Sequence, residues 1–76
     1  MEKSVVLGID IGGTNTIYGF VTREGTIVFH DEIPTNGSKP ISDLIERISD
    51  KIKEFFSKNR RYSLKGIGIG APNGNH

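Results

Sequence analysis

Leu7-Gly8-Ile9-Asp10-Ile11-Gly12-Gly13-Thr14-Asn15 runs an aliphatic stretch straight into a carboxylate, two glycines, a hydroxyl and an amide. With Val5 and Val6 before it, the apolar part reads as a β-strand, and its near-continuity suits a strand covered on both faces. Asp10 breaks the run near the strand's end, where desolvating a carboxylate is costly unless a cation or hydrogen-bond donors compensate it. Gly12 and Gly13 can take the positive φ of a tight turn, and without Cβ atoms they let backbone N–H groups approach an anion. Thr14 and Asn15 add side-chain donors. These residues can hold a phosphate at the end of a strand. No Lys follows the glycines and the next residues again read as strand, so the turn belongs to a hairpin and not to a Walker-type loop.

Working outward, Thr16 to Thr22 supplies the second strand, with Ile17, Tyr18, Phe20 and Val21 around Gly19, where a bulge or a close backbone approach is expected. Arg23-Glu24-Gly25 is a turn. A third strand follows from Thr26 to about Ile33, in which Ile27, Phe29 and Ile33 alternate with Val28, His30 and Glu32 and make one face more apolar. The three strands predict an antiparallel meander. Pro34 to Pro40 is a polar connection, with Pro40 suited to the first turn of a helix and Ser38 or Lys39 near its cap. From about 40 to 59, Ile41, Leu44, Ile45, Ile48, Ile52, Phe55 and Phe56 fall on one stripe at helical period. Asp43 with Arg47 and Glu54 with Lys58 are acid-then-base pairs at i and i+4, expected to keep the opposite face in water.

Leu64 to Gly70 is the last strand, with Ile67 and Ile69 on one side and Gly66, Gly68 and Gly70 on the other, a strip that would let another element pack close. A helix between the third and fourth strands implies a right-handed crossover and a fourth strand parallel to a neighbour. The turn at 10–15 and the polar loop at 71–76 would then leave the same edge of the sheet, beyond the strands' carboxyl ends, where α/β sheets bind ligands. Asn73, Gly74 and Asn75 in that loop offer amides and an unhindered backbone for hydrogen-bonding a polar ligand.

At 76 residues the chain allows one small domain, of marginal stability because such a domain buries only about 60% of its unfolded surface. A net charge of +1 offers no field for nucleic acid or an anionic membrane. Lys58, Arg60 and Arg61 sit where cations offset a helix macrodipole, so they imply no nucleic-acid patch. The absence of cysteine removes disulfides and thiolate metal sites. No apolar stretch reaches the length of a signal peptide or membrane span, and a cytoplasmic setting is expected.

The string Gly8-Ile9-Asp10-Ile11-Gly12-Gly13-Thr14-Asn15 resembles the first phosphate motif of the ROK family of sugar kinases and repressors, within the actin, hexokinase and heat-shock-chaperone ATPase superfamily. The Gly-Ile-Gly strand followed by Ala71-Pro72-Asn73-Gly74-Asn75 also resembles the family, in a glucokinase-type form with Asn73 where many members have glycine. The resemblance covers the chain but only the first part of the family's length. It implies a ribonuclease-H-like α/β fold whose fourth strand lies beside the first, residues 1–76 being an incomplete amino-terminal ATPase domain. It further implies ATP and magnesium as cofactors, a hexose such as glucose as substrate, and transfer of the γ-phosphoryl group to a sugar hydroxyl. Asp10 would hold magnesium through water, and Gly12, Gly13, Thr14 and Asn15 would cradle phosphate oxygens.

The family's catalytic base, an Asp in an Asn-Asp segment, has no counterpart in this stretch, so no catalytic residue is assigned and the segment alone is expected to be inactive. The complete protein is expected to be a homo-oligomer, and a sheet face left uncovered leaves the segment open to self-association. Two other readings are open. A ROK transcriptional regulator carries a helix-turn-helix before this motif, for which the residues ahead of Asp10 leave no room. In a small binding module the glycines would merely make turns.

Overall fold

The computed structural model describes residues 3–70. In chain order these form β1 (Lys3–Ile11), β2 (Asn15–Thr22), β3 (Ile27–Pro34), α1 (Ile41–Lys58) and β4 (Tyr62–Gly70). The sheet order is β3-β2-β1-β4. β1 and β2 pair antiparallel, as do β2 and β3, while β4 runs parallel to β1. This is the α/β arrangement expected of the ribonuclease-H-like topology: meander, helix, then a parallel fourth strand beside the first.

Period-two alternation assigns the faces. Val5, Leu7 and Ile9 of β1, with Thr16, Tyr18, Phe20 and Thr22 of β2, are buried on the side covered by α1. Leu44, Ile48 and Phe55 of the helix meet them. Phe20 is fully buried and stacks on Phe55 with ring centroids 4.2 Å apart. Phe56 packs edge-on against Phe20 at 5.2 Å. Burying a large apolar side chain contributes about 1.5–3 kcal/mol, so this cluster is the main hold of the helix on the sheet.

The other face differs from the sequence expectation. Among the described residues nothing covers it, so β1 is covered on one face only. Val6, Ile17 and Ile27 lie exposed there. The strip of Gly66 and Gly68 opens on the same side, and a Cβ at either glycine would meet no atom within 4 Å. Ile67 and Ile69 share the helix side with Leu7 and Ile9 but lie beyond the helix's cover and are exposed. On α1 itself, Ile41 and Ile45 sit at the margin of the stripe and are exposed as well.

Both edge strands are bulged. The β2–β3 register slips between Phe20 opposite Phe29 and Val21 opposite Ile27. Val28 is thereby turned toward the core and Ile27 away from it, against the simple alternation read from the sequence. A second slip at Lys65 puts Val5 opposite Leu64 and Val6 opposite Gly66, so Tyr62, Leu64, Ile67 and Ile69 all share the helix side. Gly19 is not at a bulge; it is a close approach, because a Cβ there would meet the Phe29 carbonyl at 3.0 Å. The helix begins after Pro40, which takes the cap position with ψ 151° and no side-chain cap bond, so neither Ser38 nor Lys39 caps it.

Candidate functional site

Asp10 stands near the carboxyl end of β1, opposite Ile17 of β2 on one side and Gly70 of β4 on the other. Its parity puts it on the helix-free face, and it is exposed. A shallow hollow of about 470 Å³ lies on this face, lined in part by Gly8, Asp10, Ile17, Gly19 and Gly68. The carboxylate thus borders an open, mostly apolar surface and is not desolvated among the described residues.

Immediately beyond it, residues 12–14 link β1 to β2. The Gly12 N–H donates to the Asn15 carbonyl at 3.0 Å, closing the turn. A Cβ at Gly12 would stand 2.6 Å from that oxygen, so only glycine fits. Neither Gly12 nor Gly13 has positive φ. The glycine requirement is therefore a close approach at Gly12, and the left-handed backbone expected there is not used. Gly13 is open, with no atom within 4 Å of a Cβ built on it. Thr14 and Asn15 are exposed. Among the described residues, the N–H groups of Gly13 and Thr14 have no hydrogen-bond partner. The turn therefore presents free amide donors and polar side chains just past an exposed carboxylate. Gly12 contributes its shape, since its N–H is already engaged.

Sequence reasoning missed what stands behind this turn. The Thr35 hydroxyl donates to the Gly12 carbonyl at 2.8 Å. Its N–H donates to the Thr14 carbonyl at 2.9 Å. The Thr16 and Thr35 hydroxyl oxygens are 2.8 Å apart. Thr35 is in turn held from the helix. Arg47 donates from Nη2 to the Thr35 carbonyl at 3.1 Å and from Nη1 to the Pro34 carbonyl at 2.7 Å. Its Nε pairs with Asp43 at 3.0 Å. The Asp43–Arg47 pair, expected to be a solvated surface pair, is instead the strut between α1 and the β3–α1 connection. Glu54 and Lys58, 3.4 Å apart and well exposed, do behave as a surface pair.

Asn73, Gly74 and Asn75, with the rest of the polar loop 71–76, lie outside the described residues. Their strand, β4, does end beside Asp10 as the topology requires.

The chain is similar to a glucokinase. It is 37% identical over 74 residues to the glucokinase of Halalkalibacterium halodurans, an alignment that takes in 95% of this chain and 22% of the relative. The chain spans about a fifth of the length of the curated relative it matches. No protein-family model matches it.

Magnesium is commonly held by one or two carboxylates together with water and substrate phosphates. Asp10 alone supplies a carboxylate at this turn, and among the described residues no group of three or more His, Cys, Asp or Glu side chains gathers. That donor set fits an ion shared with nucleotide phosphates. No helix among the described residues is long and apolar enough to cross a membrane.

Proposed function

We propose that the protein is the amino-terminal part of an ATP-dependent hexose kinase of the ROK family, glucokinase-like, working in the cytoplasm. The observation that carries this reading is the turn after β1, where the free N–H groups of Gly13 and Thr14 stand just past the exposed carboxylate of Asp10. The similarity to a glucokinase supports it. Residues 1–76 contribute the first part of the ATPase domain.

In the complete enzyme the sugar hydroxyl oxygen attacks the γ-phosphorus of ATP, the bond to the β-phosphate oxygen breaks, and the hydroxyl proton passes to a base outside this segment. Asp10 would hold magnesium through water, and the ion would supply positive charge to neutralise the transferring group. Gly13, Thr14 and Asn15 receive phosphate oxygens, Gly12 shapes the turn, and Asn73, Gly74 and Asn75 contact the sugar. Positioning and charge neutralisation carry most of such a reaction.

The test is magnesium-ATP-dependent phosphorylation of glucose and related hexoses by the full-length protein. Sugar phosphate is expected from the parent, and Asp10→Ala should abolish turnover while sugar binding persists. Unchanged turnover in the variant removes Asp10 from the mechanism. Sugar binding with no phosphorylation by the parent would favour a sugar-responsive regulator. Sugar phosphate formed by residues 1–76 alone would show that the base lies within them.

A further inference from the structure

The phosphate-binding reading concerns the outer side of the turn, and the inner side has chemistry of its own. The Thr35 hydroxyl has a single proton and two oxygen neighbours at 2.8 Å, the Gly12 carbonyl and the Thr16 hydroxyl. A carbonyl can only accept, so Thr35 donates to Gly12 and accepts from Thr16, whose side chain is fully buried. Both protons are thereby committed, and the pair has one arrangement.

That arrangement fixes a peptide plane. All peptide bonds among the described residues are trans, so the Gly12 carbonyl and the Gly13 N–H point in opposite directions. Thr16 lies on the helix side of the sheet with Ile33, its partner on β3. A carbonyl drawn toward Thr35 and Thr16 therefore sends the Gly13 N–H toward the opposite side, which is the side of Asp10. Thr35 is itself pinned at both ends: its N–H on the Thr14 carbonyl, its own carbonyl on Arg47.

We propose that Thr35, braced by Arg47, is the positioning residue of the phosphate turn: it holds the Gly12–Gly13 peptide with its N–H directed to the anion side. This rests on the phosphate-binding reading of the turn. Thr35 touches no ligand; it sets in advance the dipole that a phosphate oxygen meets, and so lowers the reorganisation needed on binding.

The experiment uses the full-length protein with isotope-labelled glycine, following the Gly13 amide resonance as magnesium-ATP is added, alongside steady-state kinetics. In the parent the Gly13 resonance should shift on saturation. Thr35→Val keeps the shape, removes the hydroxyl, and should weaken nucleotide binding about tenfold, raising KM for ATP with KM for sugar unchanged. Thr35→Ser should restore it. Arg47→Met leaves the Thr35 hydroxyl in place, removes a half-exposed brace, and should weaken nucleotide binding roughly threefold; it serves if Thr35→Val does not fold. A parent that binds nucleotide, with neither variant altering its affinity, overturns the positioning role alone. A parent whose Gly13 amide ignores magnesium-ATP overturns the phosphate reading and the positioning role together. Equal loss of sugar and nucleotide binding in the variants would reduce Thr35 to a stability residue.

Discussion

Gly12→Ala and Gly13→Ala, one residue apart, should have opposite effects. At Gly12 the added Cβ would meet the Asn15 oxygen at 2.6 Å, against an ordinary carbon–oxygen contact of about 3.3 Å. The turn has to open by about 0.7 Å. That stretches the Gly12 N–H to Asn15 carbonyl bond from 3.0 Å to about 3.7 Å, beyond hydrogen-bonding range. A lost bond costs about 1 kcal/mol and the strain of an overfilled site about 1–3 kcal/mol. Reduced freedom of the unfolded chain returns about 0.4–1 kcal/mol. The net is a loss of about 2 kcal/mol, or roughly 8–16 °C in Tm for a domain this size. At Gly13 nothing lies within 4 Å and φ is not positive, so only the unfolded-state gain remains and Tm should hold or rise by a few degrees. Thermal and urea unfolding of the two variants beside the parent decides it. A Gly12→Ala protein as stable as the parent, or a Gly13→Ala protein as damaged as Gly12→Ala, refutes the assignment. If the turn holds phosphate as proposed, Gly13→Ala should also bind magnesium-ATP poorly while fully folded, because the added methyl group would crowd the approach to the Gly13 N–H.

Phe20→Ala removes a fully buried ring stacked at 4.2 Å on Phe55 and should cost about 3–5 kcal/mol, most of the stability a domain of this size has. Its urea transition should move to very low denaturant, and a midpoint near the parent's contradicts the core assignment. Tyr18 is buried, and burial first, then the carboxylates of Asp31 and Glu54, hold its phenol pKa above 10.0. With the folded value above the unfolded one, its contribution is complete below about pH 10 and falls as pH rises beyond it. Tyr18→Phe should flatten that alkaline fall in an unfolding-versus-pH series, and an unaltered slope assigns the fall to other groups.

Much of the fold could be read from residue order, because its signals are local. The helix stripe, the two hairpin turns and the parallel return of β4 all follow from periodicity and from the helix that intervenes. The bulges at Val28 and Lys65 could not, since they depend on how two strands slide against each other and no residue type marks them. The site divides in the same way. Asp10 and the Gly-Gly turn declare themselves within a few residues. Thr35 and Arg47 are brought to that turn only by the folding of β3 and α1, and Arg47 four residues after Asp43 reads as an ordinary exposed pair. Residue type at Gly12 points to backbone freedom, whereas the real constraint there is the distance to Asn15, which no sequence states.

The parallel pairing of β1 with β4 has a consequence for biosynthesis. Among the described elements β1 is synthesised first, yet its partner along one whole edge, from Lys3 opposite Tyr62 to Asp10 opposite Gly70, is synthesised after all the others. Until then the nascent chain can close its hairpins and dock its helix, but one flank of β1 keeps its N–H and C=O groups unpaired beside Leu7 and Ile9. Such an edge is a template for strands of neighbouring nascent chains. Translation that pauses before Gly70 should therefore raise aggregation far more than a pause after it.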